Sequence, residues 1–153
     1  MKIGIINGPN MNLLGEREPE YYGMMSLNEI EAKLNEFAEK YNCKLLFFQS
    51  NHEGDIVDFI HHHIDEMNGI VINPAGYSKT GYAILDAMEA KHIPYIEVHM
   101  SNIFNRGSMH SETIFLKNAV GNIVGLKGNV YLLGLQGIIN YLNKIMKSDV
   151  CSL

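Results

Sequence analysis

Short apolar runs alternate with longer amphipathic stretches along the 153-residue chain. Five of the runs have the length of a strand and are apolar at nearly every position, which is typical of strands that are buried on both faces of a parallel sheet. The predicted strands are residues 2–7, 44–49, 69–72, 94–98 and 122–126.

Apolar residues recur at helical spacing in four segments, which we predict to be helices over residues 27–41, 56–67, 82–90 and 131–146. The first has a clear start, because Ser26 and Glu29 match the capping box of a helix N-terminus. This order of elements predicts a flavodoxin-like three-layer α/β sandwich with a five-stranded parallel sheet, strand order 2-1-3-4-5. No linker or repeat interrupts it, so we expect a single catalytic domain over residues 1–147 and a short C-terminal tail over 148–153.

The composition narrows the range of partners. The net charge is −5 and the 12 basic residues are scattered, so we expect neither nucleic acid nor a membrane surface as a partner. The longest apolar stretches have strand length and no charged-then-apolar segment opens the chain, which predicts a soluble, cytoplasmic protein. Cys43 and Cys151 are predicted to be free thiols of a reducing compartment.

The segment after the first strand is the most unusual part of the chain. About 18 residues separate that strand from the next predicted helix, whereas such connections usually have 2 to 6 residues. Glycine and proline interrupt it so often that we expect neither helix nor strand there. It is either a long polar turn or a functional lid, and its length favours the lid.

Several familiar motifs fail on spacing. His61, His62 and His63 lie in a predicted helix, where neighbouring side chains point about 100° apart, so they cannot close on one metal ion. His52 and Glu53 begin a zinc-protease motif, but Ile56 occupies the position of its second histidine. No phosphate-binding glycine motif follows a strand, so we expect neither a metal nor a nucleotide cofactor.

Polar side chains gather where the predicted strands end. The ends of parallel strands face one edge of a sheet, and ligands of open α/β sheets bind at that edge. Any one of these residues can be a turn or cap residue, but their joint occurrence predicts a cleft. The residues expected to line it are Asn10, Arg17, Tyr22, Asn73, His99 and Ser101.

At these positions the sequence resembles the type II 3-dehydroquinate dehydratases. The matching stretches are residues 6–15, 17–19, 22–23, 48–54, 72–74 and 96–102, in the order and spacing of that family. The resemblance implies dehydration of 3-dehydroquinate to 3-dehydroshikimate through an enolate, a step of the shikimate pathway, with no metal and no cofactor. It also implies a homo-oligomer, a dodecamer built from four trimers.

The resemblance also implies roles for single residues. Tyr22 would be the base that removes a proton next to the ketone, and His99 the acid that protonates the departing hydroxyl. A phenol ordinarily titrates near pH 10, so a tyrosine base needs a cation beside it, and Arg17 is the implied source. Glu97 would fix the orientation of His99.

Substrate binding is implied for a further set of residues. Asn10 would hold the water that stabilises the enolate, and Asn73 would orient His99 or the substrate. Ser101 with a neighbouring backbone N–H would bind the carboxylate, and Asp86 would reach the site of a neighbouring subunit. The implied substrate-binding set is Asn73, Gly76, Lys79, Asp86, Met100, Ser101 and Arg106.

The sequence departs from the family pattern around the expected hydroxyl-binding groups. Ala75 stands where the family has a glycine, and Lys79 and Gly81 fall in a run that usually contains a histidine. The segment from Asn105 to Ser111 is shorter than in the family and keeps one arginine, Arg106. Lys79 is either a solvated loop residue or a group that reaches an acidic partner in the cleft, such as Asp86 of a neighbouring subunit or a substrate carboxylate.

Three functions remain open from the sequence. The first is a type II dehydratase in which Lys79 or Arg106 replaces the missing contacts. The second is a divergent relative that acts on, or only binds, a related polyhydroxy ring acid. The third is a flavodoxin-like nucleotide-binding or partner-binding module, which the lack of a phosphate loop disfavours.

Overall fold

The computed structural model describes residues 1–16, 18–105 and 112–150, with side chains described up to residue 147. Its strands are β1 (Lys2–Asn7), β2 (Lys44–Gln49), β3 (Gly69–Asn73), β4 (Tyr95–His99) and β5 (Gly121–Val124). Its α-helices are α1 (Pro19–Tyr22), α2 (Leu27–Glu39), α3 (Glu53–His63), α4 (Tyr82–Glu89) and α5 (Asn129–Val150).

The strands form one parallel sheet in the order β2-β1-β3-β4-β5, which confirms the predicted fold class. Asn7, the last residue of β1, is level with Gln49 of β2 and with Asn73 of β3. His99 ends β4 and is level with Val124 at the end of β5. The carboxyl ends of all five strands therefore lie along one edge of the sheet.

The core lies on both faces of the sheet, because side chains of a strand alternate between them. Ile3 and Ile5 of β1 pack toward α2 and α5, whereas Ile6 packs toward α3 and α4. On the first face the cluster includes Leu34, Val71, Val98, Tyr131, Leu135 and Ile139. On the second face it includes Ile56, Ile60, Ile72, Ile84 and Met88.

Helix α2 starts as its sequence predicts. The Ser26 hydroxyl accepts a hydrogen bond from the Glu29 backbone N–H at 3.3 Å, and the Glu29 carboxylate accepts one from the Ser26 N–H at 2.8 Å. This reciprocal capping satisfies two N–H groups that the helix leaves unpaired.

The expectation that the segment after β1 holds no helix is wrong. A single turn of 3-10 helix spans Met11–Leu13, and α1 follows at Pro19–Tyr22. Proline presets the backbone for a first helical turn, and Gly23 then ends α1 with a φ of 80°. The proline and glycine residues that exclude a long helix therefore permit a very short one.

Helix and strand ends also shift by a few residues. Helix α3 (Glu53–His63) begins three residues before its predicted start and ends four residues before its predicted end, whereas α5 (Asn129–Val150) extends beyond both predicted bounds. Apolar periodicity marks only the buried face of a helix, and polar turns at its ends carry no such signal. Within the described ranges, no helix has the length and apolar content needed to cross a membrane.

Gly8 offers a test of how closely the strand ends pack. A Cβ atom at Gly8 would lie 2.3 Å from the Pro74 carbonyl oxygen, a backbone atom that cannot move independently. We expect Gly8→Ala to lower the free energy of unfolding by about 1–3 kcal/mol, the usual cost of overpacking. Urea unfolding at a fixed protomer concentration measures it.

Gly54 supplies the matched control. A Cβ at Gly54, near the start of α3, meets no atom within 4 Å. Because alanine is the better helix former, Gly54→Ala should leave stability unchanged or raise it by up to about 1 kcal/mol. Equal effects of the two substitutions would contradict the close approach at Gly8.

Candidate active site

A cavity of about 400 Å³ opens at the carboxyl edge of the sheet. The ends of β3 and β4 form its floor, and the loop after β1 and the turn after β3 form its walls. Its lining consists of Pro9, Asn10, Met11, Tyr22, Asn73, Ala75, Gly76, Ser78, Lys79, Thr80, His99, Met100, Ser101, Ile103 and Glu112. The cleft predicted from the strand ends is therefore present.

A buried carboxylate orients the histidine of the cavity. Glu97 is fully buried and its Oε1 lies 2.8 Å from Nε2 of His99. Glu97 accepts two further hydrogen bonds, from the Thr113 hydroxyl and from the Asn122 amide at 2.8 Å. An ionised carboxylate only accepts hydrogen bonds, so three donor groups around Glu97 suit it. Because Nε2 donates to Glu97, Nδ1 is the ring nitrogen of His99 that can exchange a proton with a ligand.

Tyr22 enters the cavity from the short helix α1. It is half-buried, and the N–H of the next residue, Gly23, donates to the Pro19 carbonyl oxygen at 2.9 Å to close the turn. The rings of Tyr22 and Tyr21 meet edge to face, with centroids 6.5 Å apart. Tyr22 and His99 thus line one cavity, whereas Arg17 lies outside the described residues.

The turn after β3 holds the cavity wall in a strained form. Ala75 has a φ of 50°, a left-handed conformation that favours glycine. Its N–H donates to the side-chain oxygen of Asn73 at 3.2 Å, and its carbonyl accepts from the Ser78 hydroxyl at 2.6 Å. These two bonds hold an alanine where the resemblance predicts glycine. Gly76 follows on the exposed rim.

Asn51 connects three of the loops around the cavity. Its side-chain oxygen accepts from the Asn10 backbone N–H at 2.8 Å and from the Gln49 amide at 3.2 Å. Its backbone carbonyl accepts from the Tyr77 hydroxyl at 2.7 Å. Asn10 itself is exposed with a φ of 64°, so the bond to Asn51 fixes it at the mouth of the cavity.

The amide of Asn73 is held by a tyrosine that the sequence did not single out. Nδ2 of Asn73 donates to the Tyr131 hydroxyl at 2.9 Å, and that hydroxyl donates to Oδ1 of Asn7 at 2.5 Å. The Asn73 amide is therefore hydrogen-bonded to Tyr131 and to the Ala75 N–H, and neither of these bonds involves His99. Tyr131 lies 58 and 124 positions from its partners, so no local pattern could reveal the contact.

Met100 and Ser101 follow His99 on the cavity floor and are 2% and 6% exposed. Lys79, on the rim, is about one-third exposed, and its Nζ lies 3.1 Å from Oε2 of Glu112. Lys79 therefore contacts an acidic group of the same chain, and its role toward a ligand stays a prediction. Glu112 immediately follows the segment 106–111 that lies outside the described residues.

Asp86 and Arg106 are the remaining predicted site residues. Asp86 is exposed on α4 and does not belong to the described lining. Arg106 lies outside the described residues. Among the side chains that the structure describes, no three His, Cys, Asp or Glu residues are placed to share a metal ion.

The fold and the site together define a class of protein. It is a parallel α/β protein with a small polar cavity at the carboxyl edge of its sheet. An imidazole that is hydrogen-bonded to a buried carboxylate equips this cavity for proton transfer. Comparison with known proteins narrows this class. A family model described as dehydroquinase class II matches residues 1–139. The chain belongs to the class II dehydroquinase family.

Individual relatives agree over nearly the whole chain. The 3-dehydroquinate dehydratase of Prochlorococcus marinus subsp. pastoris is 46% identical over 143 residues, covering 94% of this chain and 98% of the relative. That of Carboxydothermus hydrogenoformans is 43% identical over 144 residues, 94% of each. The crystal structure of a type II dehydroquinase from Butyrivibrio crossotus superposes with a TM-score of 0.85 at 39% identity, covering 94% of this chain and 97% of that one.

Proposed function

We propose that this protein is a type II 3-dehydroquinate dehydratase, a hydro-lyase of the shikimate pathway that eliminates water from 3-dehydroquinate to give 3-dehydroshikimate. The observation that carries the proposal is the placement of Tyr22 and of His99, fixed by Glu97, in one cavity of about 400 Å³. A base and an acid on a shared cavity are what an elimination requires.

Tyr22 is the base in this proposal. Removing a proton next to a ketone gives an enolate, and a phenolate oxygen is a suitable acceptor for that proton. A nearby cation favours the phenolate, and Arg17, five residues earlier in the chain, is the group we propose for it. The turn that Gly23 closes directs α1, and with it Tyr22, to the cavity.

His99 is the acid. After the enolate forms, the neighbouring hydroxyl leaves as water once it receives a proton, and Nδ1 of a protonated His99 supplies it. Glu97 stabilises the cation and holds the ring by the bond to Nε2. The bonds from Thr113 and Asn122 fix the carboxylate in turn, so the acid is oriented before the substrate binds.

The remaining polar groups would bind substrate. Asn10, at the cavity mouth, holds the water that stabilises the enolate oxygen, and the Asn73 amide contacts a ring hydroxyl. Ser101 and the backbone N–H groups at Met100 and Gly76 suit a carboxylate or hydroxyl oxygen. Their position on the cavity lining supports these roles.

We expect this chain to differ from its family in the recognition of the ring hydroxyls. Lys79 is on the cavity rim, and we propose that its ammonium group, held by Glu112, contacts the substrate. Arg106 is the other candidate for this contact. The same observation, together with Ala75 in a left-handed turn, favours the second candidate function, a divergent member that acts on or binds a related polyhydroxy ring acid.

Assembly and location extend the proposal. We propose a homo-oligomer, a dodecamer of four trimers, in which the exposed Asp86 of α4 completes the cavity of a neighbouring subunit. Cytoplasmic location stays a prediction, and the free, buried thiol of Cys43 supports it because such thiols are typical of a reducing compartment.

The first test replaces the base. With 3-dehydroquinate the native protein should produce the ultraviolet absorbance of a conjugated enone, and Tyr22→Phe should lower kcat at least about 100-fold, because the ring stays and the proton acceptor is lost. Tyr21→Phe, one residue earlier on the exposed face of α1, is the control and should retain activity. A native-like kcat for Tyr22→Phe would overturn the assignment of the base, and an inactive native protein would overturn the substrate.

The second test concerns Lys79. Lys79→Ala should raise KM about tenfold, equivalent to about 1.4 kcal/mol, with a smaller change in kcat, because recognition is lost and chemistry is kept. Lys91→Ala is the control: Lys91 also forms an ion pair, at 3.0 Å to Asp65, but lies outside the cavity lining. Lys79→His should increase kcat/KM for 3-dehydroquinate if the natural ligand is another ring acid. Identical constants for all variants would exclude Lys79 from recognition.

The third test concerns assembly. Light scattering of the native protein should give a mass at least that of a trimer, and Asp86→Ala should lower activity without unfolding the subunit, because each cavity would lose a group from its neighbour. A fully active monomer would contradict the proposed oligomer.

A further inference from the structure

We infer that Tyr131 is a positioning residue: its buried hydroxyl fixes the orientation of the Asn73 amide and so sets which atoms the cavity presents to a ligand. Tyr131 lies on α5 in the core and is not part of the cavity lining, whereas Asn73 is. In its kinetic consequences this inference rests on the proposed function. Its structural consequences can be tested without any substrate.

The direction of the hydrogen bonds determines the orientation of the amide. The Tyr131 hydroxyl has one hydrogen, which it donates to Oδ1 of Asn7 at 2.5 Å. It can therefore only accept from Asn73, and the Nδ2 group that lies 2.9 Å away supplies the donor. A carboxylate or an inverted amide at Asn73 would place an oxygen against an oxygen.

The hydrogen bond to the side-chain oxygen of Asn73 favours the same orientation of the amide. Oδ1 of Asn73 accepts from the Ala75 backbone N–H at 3.2 Å, so inversion would also place two N–H groups against each other. Ala75 is the residue with the left-handed φ of 50°. The amide thus connects the core helix α5 to the strained turn that forms the cavity wall.

Burial makes this arrangement costly to disturb. Asn7 and Tyr131 are fully buried, so water cannot replace a partner that either of them loses. An unsatisfied buried polar group costs about 1–3 kcal/mol. Burial also raises the pKa of the Tyr131 hydroxyl, so it retains its hydrogen and continues to donate to Asn7.

The hydrogen-bonding groups of the Asn73 amide that its protein partners do not use determine how it can bind a ligand. The Nδ2 group uses one hydrogen on Tyr131, and its other contact is a weak one to the Met11 sulfur at 3.7 Å. Asn73 can then present its second N–H hydrogen and the remaining lone pair of Oδ1 to a ligand in a fixed geometry. A dipole held in place before binding needs no reorganisation when the ligand arrives.

A double-mutant cycle on the full chain tests the inference. Tyr131→Phe should raise KM for 3-dehydroquinate about tenfold while kcat changes less than threefold. In an Asn73→Ala background, the same substitution should change KM less than twofold, because Tyr131 acts through Asn73. A tenfold effect in both backgrounds, or none in the native background, would overturn the inference.

Two further variants separate positioning from general loss of stability. Ile139→Val removes a buried methyl group from the same helix without touching these hydrogen bonds, so it should lower stability and leave KM unchanged. Asn7→Ala keeps Tyr131 but removes the acceptor of its hydrogen, which permits both amide orientations, and should raise KM in the same direction as Tyr131→Phe. An unchanged KM for Asn7→Ala would contradict the proposed direction of the bonds.

Hydrogen exchange of the ligand-free protein gives a readout that does not depend on turnover. Peptides that contain Ala75 should exchange about tenfold faster in Tyr131→Phe than in the native protein or in Ile139→Val, because the amide no longer protects the Ala75 N–H. Unchanged exchange there would overturn the inference even if the enzyme assay succeeds. If the native protein shows no dehydratase activity but exchange responds as expected, only the proposed substrate is wrong.

Discussion

The carboxylate of Glu97, fully buried in the middle of β4, is the constraint on which the site depends. A buried charge is tolerated only when hydrogen bonds replace water, and here His99, Thr113 and Asn122 supply them. Thr113 comes soon after residues 106–111 and Asn122 belongs to β5, so the carboxylate ties three parts of the chain together. The same bonds leave one nitrogen of His99 for proton exchange.

Around this carboxylate the loops are held by polar side chains as well as by the apolar packing of Met11 and Leu14. Asn51 joins the segments after β1, β2 and β3, and Tyr131 joins α5 to the ends of β1 and β3. Hydrogen bonds have direction, so they fix the angle of a side chain as well as its position. A cavity wall built this way can hold Ala75 in a conformation that costs energy, because neighbouring bonds offset it.

Much of the fold could be predicted because it follows from local patterns. Strands buried on both faces read as continuous apolar runs, and the capping box of Ser26 and Glu29 marks a helix start within a few residues. The convergence of Asn73 and His99 follows from parallel topology alone, since both end a strand of the same sheet. Short helix α1 was missed because four residues are too few to show a period.

The sequence by itself thus determined the order of elements, the edge of the sheet that carries the cavity, and the family, because each depends on residue type and spacing along the chain. Only the tertiary structure decided the partners of the polar groups. Lys79 pairs with Glu112 and Asn73 with Tyr131 through contacts that cross 33 and 58 positions of the chain. Hydrogen bonds and ion pairs act over a few ångströms, so their partners exist only once the chain has folded.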